Sequence, residues 1–145
     1  MKKIFLIIFL VGFTHAVSAQ EQWGDVDRNK VTMKELPPQW PGCEDGSAAE
    51  LNKCFTTKLS QHIGANFKYP AEAYNNNVEG QVIVEFIINT QGNVEIISVS
   101  GGAESLQEEA KRNILQIPQM KPGMLAGKPK AISYKVPFTF KTGRG

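Results

Sequence analysis

The sequence predicts a small α+β domain, in which helices pack on one face of an antiparallel sheet of three strands. Three runs of alternating apolar residues, within residues 82–88, 94–99 and 131–140, have the period of two that is typical of half-buried strands. Residues 48–63 and 105–117 carry apolar residues at helical spacing. The elements therefore follow the order helix, strand, strand, helix, strand.

The first predicted helix covers residues 48–63. Its apolar residues recur at every fourth position: Leu51, Phe55, Leu59 and Ile63. Ser47 is the expected N-cap, because Glu50 stands three residues later and completes the pattern of a capping box. Gly64 is expected to end the helix, since glycine is common just beyond helix ends.

An extended segment and a hairpin are predicted next. Tyr69 is expected to be extended because Pro70 follows it, and residues 71–76 are expected to form a short helical turn. The apolar face of the first hairpin strand consists of Val82, Val84, Phe86 and Ile88. Gly92 supplies the flexible position that the tight turn between the two strands requires.

A second long helix and a last strand complete the predicted sheet. The apolar stripe of the helix is Leu106, Ala110, Ile114 and Ile117. Pro118 is expected to end this helix. The apolar face of the last strand consists of Ile132, Tyr134, Val136, Phe138 and Phe140. Its other face carries Ser133, Lys135, Pro137 and Thr139.

The N-terminus has the features of a secretory signal peptide. Lys2 and Lys3 precede an apolar run at residues 4–17, and we expect cleavage after Ala19 and release into the periplasm. The alternative is an uncleaved inner-membrane anchor, although fourteen helical residues span only about 21 Å of a hydrocarbon core of roughly 30 Å. The chain thus divides into a signal peptide at residues 1–19, a polar arm with little structure of its own at 20–40 and a domain at 41–145.

Cys43 and Cys54 are the only cysteines of the chain. Export and an even number of cysteines favour a disulfide between them. His62 is the one histidine that follows the signal peptide, so these three side chains are too few for a zinc site with four ligands, or with three and a water. We expect no metal and no other cofactor.

The charges argue against one class of partner. Removal of Lys2 and Lys3 with the signal peptide leaves fourteen basic and fourteen acidic residues, so non-specific binding to nucleic acid is not expected. All the acidic residues precede residue 110, whereas residues 110–145 carry eight basic residues. Either the charges of the two parts intermix in three dimensions, or they form a basic face on the last strand.

No residue pattern indicates catalysis. His62 has no acidic or nucleophilic partner at a recognisable spacing, so we expect it to be a surface or packing residue. Ser98 lacks the surroundings of a nucleophile elbow, and Glu108 and Glu109 suit the start of a helix. We predict a protein that is not an enzyme and has no small-molecule substrate.

The last strand offers a different kind of site. If it pairs with the first strand of the hairpin, its other edge is unpaired and can accept a strand from another chain. Pro137 lacks an N–H group and therefore suits an edge strand. Alternatively, the polar arm or a second copy in a homodimer covers this edge.

Several short motifs are informative through their order. They are, along the chain, Tyr69 with Pro70, then Gly80, then Gly92, and then Pro122 with Gly123. This order resembles the C-terminal domain family of TonB, the energy transducer that contacts outer-membrane transporters from the periplasm. The resemblance covers about half of the chain. Met120 departs from the family pattern, in which an aromatic residue is common two residues before the Pro-Gly pair.

The resemblance implies where a partner would bind. In the family, an extended segment of the transporter docks as an added strand along the last strand of the sheet. The matching residues of this chain are Ala131, Ile132, Ser133, Tyr134, Lys135, Val136, Pro137, Phe138, Thr139 and Phe140. This implies a periplasmic binding domain linked to energised transport, although we expect no anchor and no long spacer with which to transduce energy unaided. The alternative is an exported structural or interaction domain that dimerises or contacts other envelope proteins.

We predict that the mature protein begins at Gln20, because the residue before it is small and the apolar run is short. The intact mass of the protein from a periplasmic extract checks this. Replacing Ala19 with Leu should block cleavage, since the cleavage site requires a small residue there. Recovery of residues 1–19 with the unaltered protein in the membrane fraction would support the anchored alternative.

Overall fold

The computed structural model describes residues 35–144, so the predicted signal peptide and most of the predicted arm lie outside the described residues. This range contains three helices and six strands. They are β1 (Glu35–Leu36), α1 (Ala48–Asn66), α2 (Ala71–Asn75), β2 (Gly80–Ile88), β3 (Val94–Ser100), α3 (Glu104–Leu115), β4 (Gly123–Leu125), β5 (Lys128–Lys130) and β6 (Ile132–Phe140). The predicted α+β class is confirmed, and α1, β2, β3, α3 and β6 follow the predicted order.

The main sheet has the strand order β3-β2-β6, and both pairings are antiparallel. β2 and β6 pair without a shift from Gly80 opposite Phe140 to Ile88 opposite Ile132. The pairing of β2 with β3 contains a bulge that leaves Ile97 without an opposite residue. β2 is therefore the central strand, and β6 lies at the side of the sheet.

The core lies on the face of this sheet that α1 and α3 cover, which we call the inner face. Alternate residues of β2 point into it and are fully buried: Val82, Val84, Phe86 and Ile88. The apolar stripe predicted for α3 is buried against them. From α1, Phe55 stacks on Tyr134 of β6 with ring centroids 4.5 Å apart. Each such buried aromatic or aliphatic side chain stabilises the fold by about 1.5–3 kcal/mol relative to an exposed one.

The predicted start of α1 agrees with the structure, whereas its predicted end does not. The capping box is confirmed, because the hydroxyl of Ser47 accepts the backbone N–H of Glu50 and the Glu50 carboxylate accepts the N–H of Ser47. The end predicted at Gly64 is wrong, since the helix continues to Asn66. Sequence periodicity could not show this, because the cause is a tertiary contact with α3.

Two side chains of α3 bind the last carbonyl groups of α1. The amide of Asn113 donates to the carbonyl of Ile63 at 3.0 Å, and the guanidinium of Arg112 donates to the carbonyl of Asn66 at 2.6 Å. These bonds satisfy acceptors that a helix end leaves unpaired, and a cation there suits the helix dipole. They support the last turn of α1 beyond Gly64. α3 itself ends at Leu115, before the predicted end at residue 117, because Pro118 disfavours helical backbone in the residue before it.

A second small sheet, with the order β1-β4-β5, was not predicted. Its β1 comes from the segment that we interpreted as a polar arm. Beyond β1, the backbones of Gln39 and Lys121 exchange two hydrogen bonds of 3.0 and 3.2 Å. Residues 35–40 are thus part of the fold. Strands of two or three residues are too short to show an alternating pattern, which is why the sequence did not reveal them.

The predicted disulfide between Cys43 and Cys54 is present, with 5.9 Å between the Cα atoms. It ties the segment that contains the buried Trp40 to α1. The ring of Trp40 packs against Phe55, with centroids 6.0 Å apart, and against His62 at 5.6 Å. The bridge therefore holds residues 35–43 against the helix.

We predict that the variant with Cys43→Ala and Cys54→Ala loses about 3 kcal/mol of unfolding free energy, because the short loop is no longer closed in the unfolded chain. Urea denaturation of the parent and the variant measures the loss. Reductant should weaken the parent and leave the variant unchanged. Two free thiols in the unfolded, unreduced parent would contradict the bridge.

We predict that Gly92→Ala is more destabilising than Gly127→Ala. Both glycines have positive φ, 83° and 78°, so alanine costs about 1–2 kcal/mol of backbone strain at either position. A Cβ atom on Gly92 would also clash with the carbonyl of Met120, whereas nothing lies within 4 Å of one on Gly127. Thermal unfolding of both variants compares the two effects, and equal losses would show that the close contact with Met120 is unimportant.

Candidate functional site

β6 has one paired and one unpaired edge. It pairs with β2 along its whole length, and within residues 35–144 no strand pairs with its other side, which we call the open edge. The strand covers nine of the ten residues predicted for partner binding, and Ala131 lies between β5 and β6. The main-chain groups on the open edge are the main candidate site of the described chain.

The hairpin turn determines which groups point to the open edge. The N–H of Asn89 donates to the carbonyl of Asn93 at 2.8 Å, so Asn89 faces β3. Successive residues in a strand direct their main-chain groups to opposite sides. Ile88, and every second residue before it, therefore faces β6, and the partner of Ile88 in the ladder is Ile132.

The residues between these ladder partners direct their main-chain groups to the open edge. They are Ser133, Lys135, Pro137 and Thr139. Pro137 has no N–H, so the open edge offers three donors and four carbonyl acceptors. The place of Pro137 agrees with this assignment, because a proline here removes no hydrogen bond to β2.

Charges from the two parts of the sequence meet beside the edge. The amino group of Lys135 lies 3.9 Å from the carboxylate of Glu85, and that of Lys130 lies 3.7 Å from Glu35. Both pairs join the basic C-terminal part to the acidic part before it, as the interpretation of intermixed charges predicts. All four side chains are at least one-third exposed, so each pair contributes little to stability.

A cavity of about 290 Å³ lies near Ile132, the first residue of β6. Its lining residues are Glu35, Pro37, Ala48, Asn52, Ile132 and Tyr134. The ring of Tyr134 packs between Phe55 and Phe86, with centroids 4.5 and 5.7 Å away, and the residue is partly buried against the core. Burial raises the pKa of the Tyr134 hydroxyl to about 12, and the negative charge of Glu35 adds to this shift.

The motif residues near the start of β2 have structural positions. The hydroxyl of Tyr69 donates to the carbonyl of Val78 at 2.6 Å, and its ring packs against Phe140 at 5.5 Å. Pro70 precedes α2, and Gly80 is opposite Phe140 in the ladder. These residues hold one end of the pairing between β2 and β6, far along the strand from the cavity.

The other motif residues hold the opposite end of the sheet. The N–H of Met120 donates to the carbonyl of Gly92 at 3.0 Å, and Met120 is buried, so it fills the position where the family often has an aromatic residue. Gly123 follows Pro122 and begins β4, and it packs so closely on Ile132 that a Cβ atom there would clash. The motif residues thus frame the sheet and do not form one cluster.

Sequence reasoning missed a polar cluster between α1 and α3. The carboxylate of Glu109 accepts bonds from the side chain of Arg112, at 2.6 and 2.7 Å, and from the N–H of Lys68 at 2.8 Å. His62 Nε2 lies 2.9 Å from the carbonyl oxygen of Asn113. The sequence did contain a signal for this cluster, because Glu109 and Asn113 lie next to the apolar stripe of α3. His62 is a packing residue, as predicted.

Residues 35–144 lack two kinds of feature. No group of three or more histidine, cysteine, aspartate or glutamate side chains in this range could hold a metal ion. No helix in the same range has the length and apolar character needed to cross a membrane.

Comparisons with known proteins find a matching family and similar solved structures. The family described as Gram-negative bacterial TonB protein C-terminal matches residues 65–142. Two solution structures of Helicobacter pylori TonB C-terminal domain fragments are similar, each with a TM-score of 0.44. The shorter fragment is 23% identical, and the match covers 63% of this chain and 97% of that fragment. The longer fragment is 22% identical, and the match covers 68% of this chain and 85% of that fragment. A search of curated proteins finds no significant match.

The family match extends from the last turn of α1 through α2, the hairpin and α3 to the residues just beyond β6, which is more than half of the chain. It therefore includes the whole main sheet and its open edge. This chain belongs to the TonB C-terminal domain family, whose members are envelope-associated binding domains rather than enzymes.

Proposed function

We propose that this protein is a periplasmic binding domain that engages extended segments of outer-membrane transporters and serves energised transport. The partner segment adds a strand to the open edge of β6. The observation that carries the proposal is the set of unpaired main-chain groups on that edge, in a domain of this family. Such an edge is a template for strand addition.

The composition of the edge supports selective binding. Ser133 and Lys135 present two donors on consecutive outward positions, whereas Pro137 presents none. An added strand therefore finds its best pairing near the first half of β6. Main-chain bonds supply the affinity in this mode, and alternate side chains of the added strand supply the selectivity.

A second candidate function is an exported interaction domain that dimerises or contacts other envelope proteins. Ile97, at the bulge of β3, is 56% exposed, and Ile83 and Ile87 of β2 are only partly buried. These apolar side chains would favour contact with another protein or a second copy. Sedimentation of the protein at increasing concentration distinguishes a homodimer from a monomer.

We predict that Ser133→Pro and Lys135→Pro fold like the parent and bind partner peptides about three- to ten-fold more weakly. Each removes one N–H on the open edge, and one hydrogen bond contributes about 0.5–1.5 kcal/mol. The probes are labelled twelve-residue peptides that cover the periplasmic segments of outer-membrane transporters. Fluorescence anisotropy gives the affinities, and circular dichroism confirms the fold.

Val136→Pro is the matched control. Its N–H faces β2, so proline removes a bond of the ladder and should lower the unfolding temperature. If Ser133→Pro and Lys135→Pro are folded and bind every peptide as tightly as the parent, strand addition at this edge is wrong. The interaction-domain function would then be preferred.

A further inference from the structure

The cavity beside Ile132 combines residues from inside and outside the family match. Ile132 and Tyr134 of β6 lie within the matched range, whereas its other lining residues, at positions 35–52, precede it. The disulfide and the main-chain bonds between Gln39 and Lys121 hold the preceding segment in place. The segment before the matched domain thus builds a wall next to the open edge.

An added strand would place one of its side chains at this cavity. Residues directly opposite each other in paired strands point to the same face, with Cβ atoms about 4.5–5.5 Å apart. The inner-face residues at this end of β6 are Ile132 and Tyr134, and both line the cavity. A side chain of the added strand opposite either residue therefore points towards the cavity.

The cavity lining combines apolar surface with a small number of polar groups. Pro37, Ile132 and the ring of Tyr134 supply apolar surface, on which an aliphatic stem can pack. The polar groups of the lining side chains are the carboxylate of Glu35, the amide of Asn52 and the hydroxyl of Tyr134. Glu35 is the charged residue of the lining, and its charge reaches the hydroxyl of Tyr134.

Lys130 pairs with Glu35 but does not occupy all the hydrogen-bond acceptor sites of its carboxylate. The two groups are 3.7 Å apart, and their side chains are 44% and 53% exposed. A carboxylate accepts several hydrogen bonds, and an exposed pair at this distance is weak. Glu35 can therefore bind a second cation that approaches from within the cavity.

We propose that this cavity is a specificity pocket for a lysine or arginine side chain of the added strand. The stem packs along Ile132 and Tyr134, and the cation pairs with Glu35. The proposal rests on strand addition at the open edge. It assigns partner selection to residues 35–52, which lie outside the matched domain.

The test uses designed peptides. Octapeptides of alternating threonine and valine carry one guest residue, either lysine, glutamate or norleucine, at each position in turn. Titration of ¹⁵N-labelled protein followed by NMR gives the affinity and shows whether the amide resonances of β6 shift. We expect lysine at one inner-face position to bind about two- to five-fold more tightly than norleucine, and glutamate to bind more weakly.

Two charge variants should change this preference in opposite directions. Glu35→Gln keeps the shape of the side chain and should abolish the lysine preference. Lys130→Gln removes the competing cation and should increase it. Lys128→Gln is the control, because Lys128 has the same charge as Lys130 and forms no ion pair with Glu35 in the described range. This variant should leave the lysine preference nearly unchanged.

The outcomes separate the pocket from strand addition. In one outcome the peptides shift the β6 resonances and Ser133→Pro weakens peptide binding, but Glu35→Gln keeps the lysine preference of the parent. The specificity pocket is then wrong, and strand addition holds. The same conclusion follows if the parent has no lysine preference. If no peptide shifts the β6 resonances, both proposals fall.

Discussion

The unbroken antiparallel pairing of β2 with β6 is the constraint on which the rest of the structure depends. Its register directs the apolar residues of both strands to the inner face, where α1 and α3 cover them. A slip by one residue would turn that set towards solvent. The same register directs the N–H groups of Ser133 and Lys135 to the open edge. The core and the proposed binding edge are therefore two results of one pairing, and a mutation that changes the register would change both.

The residues that fix the ends of this pairing explain the order of the family motifs. At one end, Tyr69 binds the backbone before β2 and packs on Phe140, the last residue of β6. At the other end, Gly92 admits the backbone of Met120, and Gly123 admits the side chain of Ile132. Gly92 and Gly123 allow close contacts that a larger residue would obstruct, whereas Tyr69 contributes a hydrogen bond and ring packing. The motifs thus indicate the fold, whereas the proposed function depends on main-chain groups that no particular residue type marks.

The sequence predicted the parts of the fold in which many residues repeat one pattern. The capping box and stripe of α1, the hairpin and the alternation in β6 are all of this kind. The second sheet escaped prediction because β1, β4 and β5 each have two or three residues. The end of α1 was misplaced because its last carbonyl groups find partners in Arg112 and Asn113, about fifty residues later. The strand of the candidate site could be predicted, but its neighbouring cavity could not, since that cavity joins segments separated by eighty or more residues.

The position of Pro137 connects edge protection with selectivity. Exposed edges invite unwanted pairing, and proline is one means of limiting it. Here Pro137 interrupts the row of backbone N–H donors in the second half of β6. The N–H groups of Ser133 and Lys135 remain available in the first half. That half adjoins the cavity whose wall is formed by residues 35–52, so a strand that uses the available donors must also fit its side chain to this wall. The disulfide holds that wall against α1. Its contribution would then extend from stability to the choice of partner, because a wall that moves cannot distinguish one side chain from another.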